Sequence, residues 1–404
     1  MTADPGPRVT VAFPPGRGAA QWRRRHAEGL VPNRWPYGLD GLAADGVQLD
    51  EVELGRPRAV DRVLGRLGRV GGALVRRPRV PGALLTWDEQ TAVHRARTVD
   101  ADSTWSGVIW ATDRLARGED PRELAAVREA LLRSDGLWCL SRPQVDAVAR
   151  WLGPAAPPTG FLRFGIDEAF YASAPYPERP LVASVGGDRD RDAVTLFAAL
   201  EEVLRRMPGV RCVVQSGSSA PAPPGVDVVA HLPHVGVREL YARASVVAVA
   251  TRPNLHVSGM TVSLEAMSTG RPVVLSDHPG VGDYVADGRT GLLVRPGDPG
   301  AMADRILDLL ADPAAAAAMG RRGRAAVEER FTTRAMCGAL RAMVLGRSGP
   351  AEPADLAEPL GQRRHQEQGG AGQERAVGDP EADRPGEQDE HDAEQAVVRG
   401  HHDQ

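Results

Sequence analysis

Lysine is absent: all 49 basic residues of the 404 are arginine. A cofactor held as a Schiff base on lysine is therefore excluded, and any bound phosphate must be met by guanidinium groups or backbone amides. Cysteine is scarce, and Cys139, Cys212 and Cys337 lie far apart without the paired spacing of a zinc site or a disulfide framework. Each is expected to be a small core residue. Aromatics are 4% of the chain and do not interleave with a basic stripe, and the net charge is -4. Nucleic acid is thus not an expected partner. No run approaches the ~20 apolar residues of a membrane-spanning helix. The short apolar run at 9–13 lacks the length, basic flank and cleavage site of a signal peptide, so a cytoplasmic location is expected. What is present, 42% hydrophobic and 25% charged residues, matches a soluble globular chain. The length fits two domains and some extra.

Val9 to Phe13 alternates and is closed by Pro14, Pro15 and Gly16, which predicts a first buried strand entering a loop. Further strands are expected at 82–87, 107–110 and 137–140, with helices at 121–133 and 144–152, the alternation of a parallel α/β sheet. Periodicity is lost in the Pro- and Ala-rich stretch 153–180, around FLRFGID (161–167), and the domain connection is placed there. Beyond it strands are expected at 181–185, 210–215, 226–231, 246–251, 272–276 and 292–294. Helices are expected at 193–207, 237–244, 261–269 and 299–310. Asp298 and Pro299 suit an N-cap and a first-turn proline, while Gly270 and Pro272 suit a helix stop. A last amphipathic stretch covers 319–344. From 349 on, aromatics vanish and Glu, Gln, Asp, Arg, Gly and Pro dominate, as in a disordered polar tail. The division expected is 1–172, 173–346 and a tail at 347–404.

The most informative stretch is SGMTVSLEAMSTGRPVV, 258–274. Ser258, Gly259, Met260 and Thr261 are placed to enter a helix whose free N–H groups and dipole can hold a diphosphate. Glu265, one turn on, is placed to accept hydrogen bonds from ribose hydroxyls, although a capped helix with a solvated Glu reads equally well. In the first half, Trp87, Asp88 and Glu89 end a strand where open α/β sheets collect ligand residues. Asp88 is a catalytic candidate there, with helix capping as the alternative. Asp188, Asp190 and Asp192 have Asp-x-Asp spacing, which elsewhere holds a divalent ion, but arginines stand between them and no metal is expected. Arg58, Arg62, Arg66 and Arg69 share one face of the stretch 58–77; it reads as a packing helix or as a peripheral contact with anionic lipid at the inner membrane face.

LEAMSTGRPVV (264–274), GVGDYVADGRTGLLV (280–294), GDPGAMADRILDLLADP (297–313) and VEERFTT (327–333) together resemble family 4, group 1, of the retaining glycosyltransferases. FGID (164–167) resembles the family's link between domains, and Ser141 a serine common before it. The resemblance implies a GT-B architecture, two facing Rossmann-like domains with parallel sheets, the first taking a hydroxyl acceptor and the second a nucleoside-diphosphate sugar. It implies retaining transfer, no cofactor and no metal. Glu265 matches the family's ribose-binding glutamate, but Val257 stands where a second glutamate reaches toward the transferred sugar. A non-catalytic sugar-nucleotide-binding or scaffold protein is the alternative. Diphosphate neutralisation is assigned by the resemblance to Arg191, with Arg189 as second choice. His234 and Val235 fall where the family wraps the nucleobase, and Asp283 takes the place of an acidic residue near the sugar.

Overall fold

The computed structural model describes residues 6–55 and 77–346. The stretch 58–76 and the tail from 347, for which lipid contact and disorder were expected, lie outside the described residues. Within them are two six-stranded sheets, each parallel throughout. The first contains β1 (Arg8–Phe13), β2 (Gln48–Glu53), β3 (Arg79–Thr86), β4 (Asp100–Val108), β5 (Gly136–Cys139) and β6 (Thr159–Phe161), in the order β2-β1-β3-β4-β5-β6. The second contains β7 (Leu181–Ser184), β8 (Arg211–Gln215), β9 (Val226–Val229), β10 (Val246–Val249), β11 (Val273–Ser276) and β12 (Leu292–Val294), in the order β12-β11-β10-β7-β8-β9. Strand order reverses between β7 and β10 in the second sheet, and between β1 and β3 in the first. A parallel sheet opens a crevice at such switch points, beyond the carboxyl ends of the strands.

The central strands read as unbroken apolar runs because both faces are covered. All four residues of β5, β7, β10 and β11 are buried. The edges escape this rule. Four of the six residues of QLDEVE in β2 are polar because it pairs with β1 alone, and β6 has three half-buried residues, so the apolar pattern marks neither. β4 runs from Asp100 to Val108 and stops short of Trp110, because Ile109 and Trp110 give their amides to the buried Glu89 carboxylate (2.8 and 2.9 Å).

The helices α1 (Ala19–Ala27), α2 (Glu89–Thr98), α3 (Ala111–Ala116), α4 (Pro121–Leu132) and α5 (Arg142–Leu152) serve the first sheet. The second has α6 (Ala193–Arg206), α7 (His234–Arg243), α8 (Met260–Ser268) and α9 (Pro299–Ala311). Asp298 caps α9 through Ala301 N (2.9 Å), as its position before Pro299 suggests. The last amphipathic stretch is two helices, α10 (Pro313–Arg330) and α11 (Thr333–Leu345), broken where Thr332 caps the second (3.1 Å to Ala335 N). Helix α11 returns to the first half, where the Cys337 thiol lies 3.3 Å from the Gly38 carbonyl. All three cysteines are buried and free. No helix among the described residues is long and apolar enough to cross a membrane.

Gly320 of α10 lies against the backbone carbonyl of Gly270, and a Cβ there would drive into that oxygen. Alanine usually stabilises a helix interior by about 1 kcal/mol over glycine. Here Gly320→Ala is expected to reverse that sign, costing about 1–3 kcal/mol by overpacking against backbone. A melting temperature equal to or above that of the parent would contradict the contact.

Candidate functional site

Three loops leave the carboxyl ends of adjacent strands at the switch point of the second sheet: 185–192 after β7, 250–259 after β10 and 277–280 after β11. In the first, Gly186 adopts φ +137, and a Cβ there would lie 2.5 Å from Arg191 Nη2. Glycine thus lets the Arg191 guanidinium fold back over its own loop. Gly259, the N-cap of α8, is left-handed (φ 92), and Arg191 Nη1 lies 2.8 Å from where its Cβ would be. Arg191 therefore sits against the start of α8. Its Nε and Nη1 are sealed from solvent without a hydrogen-bond partner. Burial pulls the guanidinium below its ordinary value, against the upward pull of Asp188 and Glu265.

Other open polar groups gather on the same loops. Ser258 gives its amide to Asn254 Oδ1 (2.8 Å), yet its buried hydroxyl has no partner. Thr251 Oγ1, across the bridge Arg191↔Thr251, and both nitrogens of the buried His278 are likewise unpaired. Buried polar atoms are normally satisfied, and each one left open costs about 1–3 kcal/mol. They gather near a helix start, where free backbone N–H groups and the helix dipole favour an anion. Thr261 alone of the four expected entry residues is exposed, while Ser258, Gly259 and Met260 are buried.

Glu265 lies one turn into α8, 7% exposed, and accepts from the Tyr241 hydroxyl (3.1 Å) and from Tyr171. Burial pushes its carboxyl up to about 7, with the two tyrosines and Arg191 pulling the other way. It is not a solvated helix glutamate. The Tyr171 hydroxyl also meets His234 Nδ1 (3.1 Å), so His234, the first residue of α7, joins Glu265 through one tyrosine. Burial, then Arg25 and His231, lowers His234 to about 4, and its ring stands edge-on to Trp22. Val235 beside it is half-buried.

The remaining candidates have other partners. Arg189 is exposed and pairs with Glu119 (3.5 Å). Asp283 binds the Arg142 amide (3.0 Å) and Nε (3.2 Å), joining the two halves. Asp88 caps α2 through Thr91 N (2.8 Å) and Thr91 Oγ1 (3.0 Å), and burial raises its pKa. Asp88→Ala is therefore expected to cost about 1 kcal/mol of stability and to leave transfer within a factor of two. A loss of turnover beyond a hundredfold at unchanged stability would make it catalytic instead.

Sequence reasoning missed a buried histidine that ties the two halves together. His256 places Nδ1 2.8 Å from Asp113 Oδ2 and Nε2 3.2 Å from Asp188 Oδ2. Against the downward pull of burial, these bonds raise it to about 9. Asp113 also accepts the amides of Leu255 (2.7 Å) and His256 (3.2 Å), and Ser141 Oγ donates to the Leu255 carbonyl (2.6 Å). Arg117 pairs with Asp190 (2.9 Å). The loop after β10 is thus fastened to the first half. Asp188, Asp190 and His256 are the one group among the described residues whose atoms lie close enough together for a metal ion. Both ring nitrogens are already committed to carboxylates, and Asp192, third in the Asp-x-Asp series, caps α6 through Thr195. Asp-x-Asp spacing marks Asp188 and Asp190, but no spacing rule joins them to His256 or to Asp113, which stands 143 residues before His256.

Residues 179–312 match the family model described as glycosyl transferases group 1. Glycogen synthase of Mycobacterium tuberculosis is 30% identical over 229 residues, 52% of this chain and 53% of that protein. A GDP-mannose-dependent alpha-(1-6)-phosphatidylinositol monomannoside mannosyltransferase of Mycolicibacterium smegmatis is 27% identical over 78% of this chain and 92% of its own length. The chain spans about half the length of the glycogen synthase it matches. Among solved structures, sucrose-phosphate synthase of Thermosynechococcus elongatus superposes with a TM-score of 0.59 at 20% identity, covering 85% of this chain and 100% of that one. Anabaena Alr3699/HepE, solved with UDP-glucose, gives 0.58 at 13%, covering 84% and 99%. These two likenesses concern the fold. Residues 179–312 are thus similar to group 1 glycosyl transferases, and the two parallel sheets have the GT-B fold.

Proposed function

We propose that the protein is a retaining glycosyltransferase that moves a sugar from a nucleoside-diphosphate sugar to an acceptor hydroxyl without a metal ion. The observation that carries this reading is the unpaired Arg191 Nε and Nη1 and the unpaired Ser258 hydroxyl at the start of α8. A diphosphate docked there satisfies those groups, and the guanidinium and helix dipole offset its charge. Glu265 on the next turn receives the ribose hydroxyls, with Tyr241 and Tyr171 fixing its carboxylate. During transfer the sugar C1–O bond to phosphate breaks with its electron pair going to the diphosphate. The acceptor oxygen bonds to C1 from the same face, and its proton passes to a phosphate oxygen. No protein nucleophile is required, and stabilisation of the growing diphosphate charge is the protein's main contribution.

A thermal-shift panel of nucleoside diphosphates and their sugars tests the donor side. A ligand at a hundred times its Kd adds about 2.7 kcal/mol to folding stability, an upward shift of several degrees. The anomeric configuration of the product, read by NMR, tests retention, and dialysis against EDTA should leave the rate unchanged. Val257 is 2% exposed and offers no hydrogen bond to a sugar hydroxyl. Donor binding without turnover on any hydroxyl acceptor would favour a binding protein over an enzyme.

A further inference from the structure

One buried side chain on the loop after β11 takes no part in the steps above. His278 follows β11 by two residues and is 5% exposed. Neither Nδ1 nor Nε2 completes a hydrogen bond among the described residues. The Pro279 and Ser258 backbones lie close enough to pull the ring's pKa up, but neither meets it with the alignment of a full hydrogen bond. An imidazole always carries at least one N–H, and a buried one without a well-aligned acceptor is uncommon in a folded protein. Its neighbours give it a direction. Ser258 bears the unpaired hydroxyl, and the next residue, Gly259, lies under Arg191 Nη1. His278 and Arg191 thus flank two consecutive residues at the helix entry from separate loops.

We propose that His278 is a diphosphate-contacting residue, donating an N–H to a phosphate oxygen of the donor and taking up a proton as the diphosphate binds. This rests on the nucleotide-sugar reading of the pocket. The charged groups facing the ring are His256 from the loop after β10 and Asp277 from its own loop. Burial, then His256, depress its pKa, while the Pro279 and Ser258 backbones and Asp277 pull it up, and the net direction is down. The ring is therefore neutral at pH 7.5 before a diphosphate binds. A polyanion beside it favours the imidazolium. The proton comes from solvent and rests on the ring, and no covalent bond to the protein changes. When the C1–O bond breaks, the imidazolium is in place to offset the charge arriving on the diphosphate.

Calorimetric titration of the full chain with UDP, GDP, ADP and dTDP, at pH 7.5 in two buffers of different ionisation enthalpy, counts the protons taken up. For the nucleotide that binds, the wild type is expected to take up a substantial fraction of one proton, and His278→Gln none, with affinity about tenfold weaker. Equal proton counts in the two proteins would overturn the role of His278 and leave the nucleotide site intact. Failure of all four to bind the wild type would instead remove the underlying reading, and the proposal with it. Should the glutamine variant not fold, the wild type still decides. The His278 ring signals must move to their protonated positions on nucleotide addition, and their staying at the neutral positions contradicts the proposal.

Discussion

Replacing Arg191 with alanine is expected to lower kcat/KM for sugar transfer by about 10²–10³, the usual effect of removing one preorganised charge partner from a transition state. The loss should fall mainly on kcat, because the diphosphate gains charge as the C1–O bond breaks. Arg191→Lys is expected to recover only part of it, since an ammonium lacks the planar fork that binds phosphate bidentately. Folding should not suffer. The guanidinium is buried with Nε and Nη1 unpaired, so its removal relieves a desolvated charge. A variant as active as its parent, or one inactive because it is unfolded, would contradict this role.

The second large effect concerns stability against pH. His256 rises from an ordinary value of 6.5 to about 9 in the folded protein. A group whose folded pKa is raised contributes stability that is fully present below its unfolded value and fades as pH climbs through the folded one. The window is therefore pH 6.5 to 9, and the contribution lost across it is on the order of 3 kcal/mol. Asp188, held well below its usual range by His256 and Arg191 against the push of burial, works at the other end, and its contribution fades only in strong acid. The melting temperature should thus fall between pH 6.5 and 9.5. His256→Gln should lose that slope and melt lower at pH 6.5, because Asp113 is left buried without its cation. A wild-type curve flat from pH 6 to 9.5 would show that the ring is neutral.

The central strands and capped helices were legible because burial on both faces and local capping act over short stretches of sequence. The 261–269 reading fell within a residue of helix α8, and the strand 292–294 coincided with β12. The edge strands β2 and β6 were not legible, since half-exposed strands carry no continuous apolar signal. At the site, Ser258, Gly259 and Glu265 stood at the entry and second turn of one helix and could be read together. Arg191 was named from resemblance, and its position depends on Gly186 and Gly259, two glycines 73 residues apart that admit the guanidinium. His256, Asp113 and His278 had no mark, because α3 and the loops after β7, β10 and β11 that carry them and their neighbours lie far apart along the chain. The alternative reading of Glu265 as a solvated helix residue failed because Tyr171 and Tyr241 approach from outside its helix.

The most direct test is a crystal structure of the full chain with the nucleoside diphosphate that most raises its melting temperature. The diphosphate should lie on the amides at the start of α8, within hydrogen-bond reach of Arg191 and the Ser258 hydroxyl, with the ribose on Glu265. A nucleotide bound elsewhere, with Arg191 still unpaired and Glu265 held by its tyrosines alone, would contradict the account.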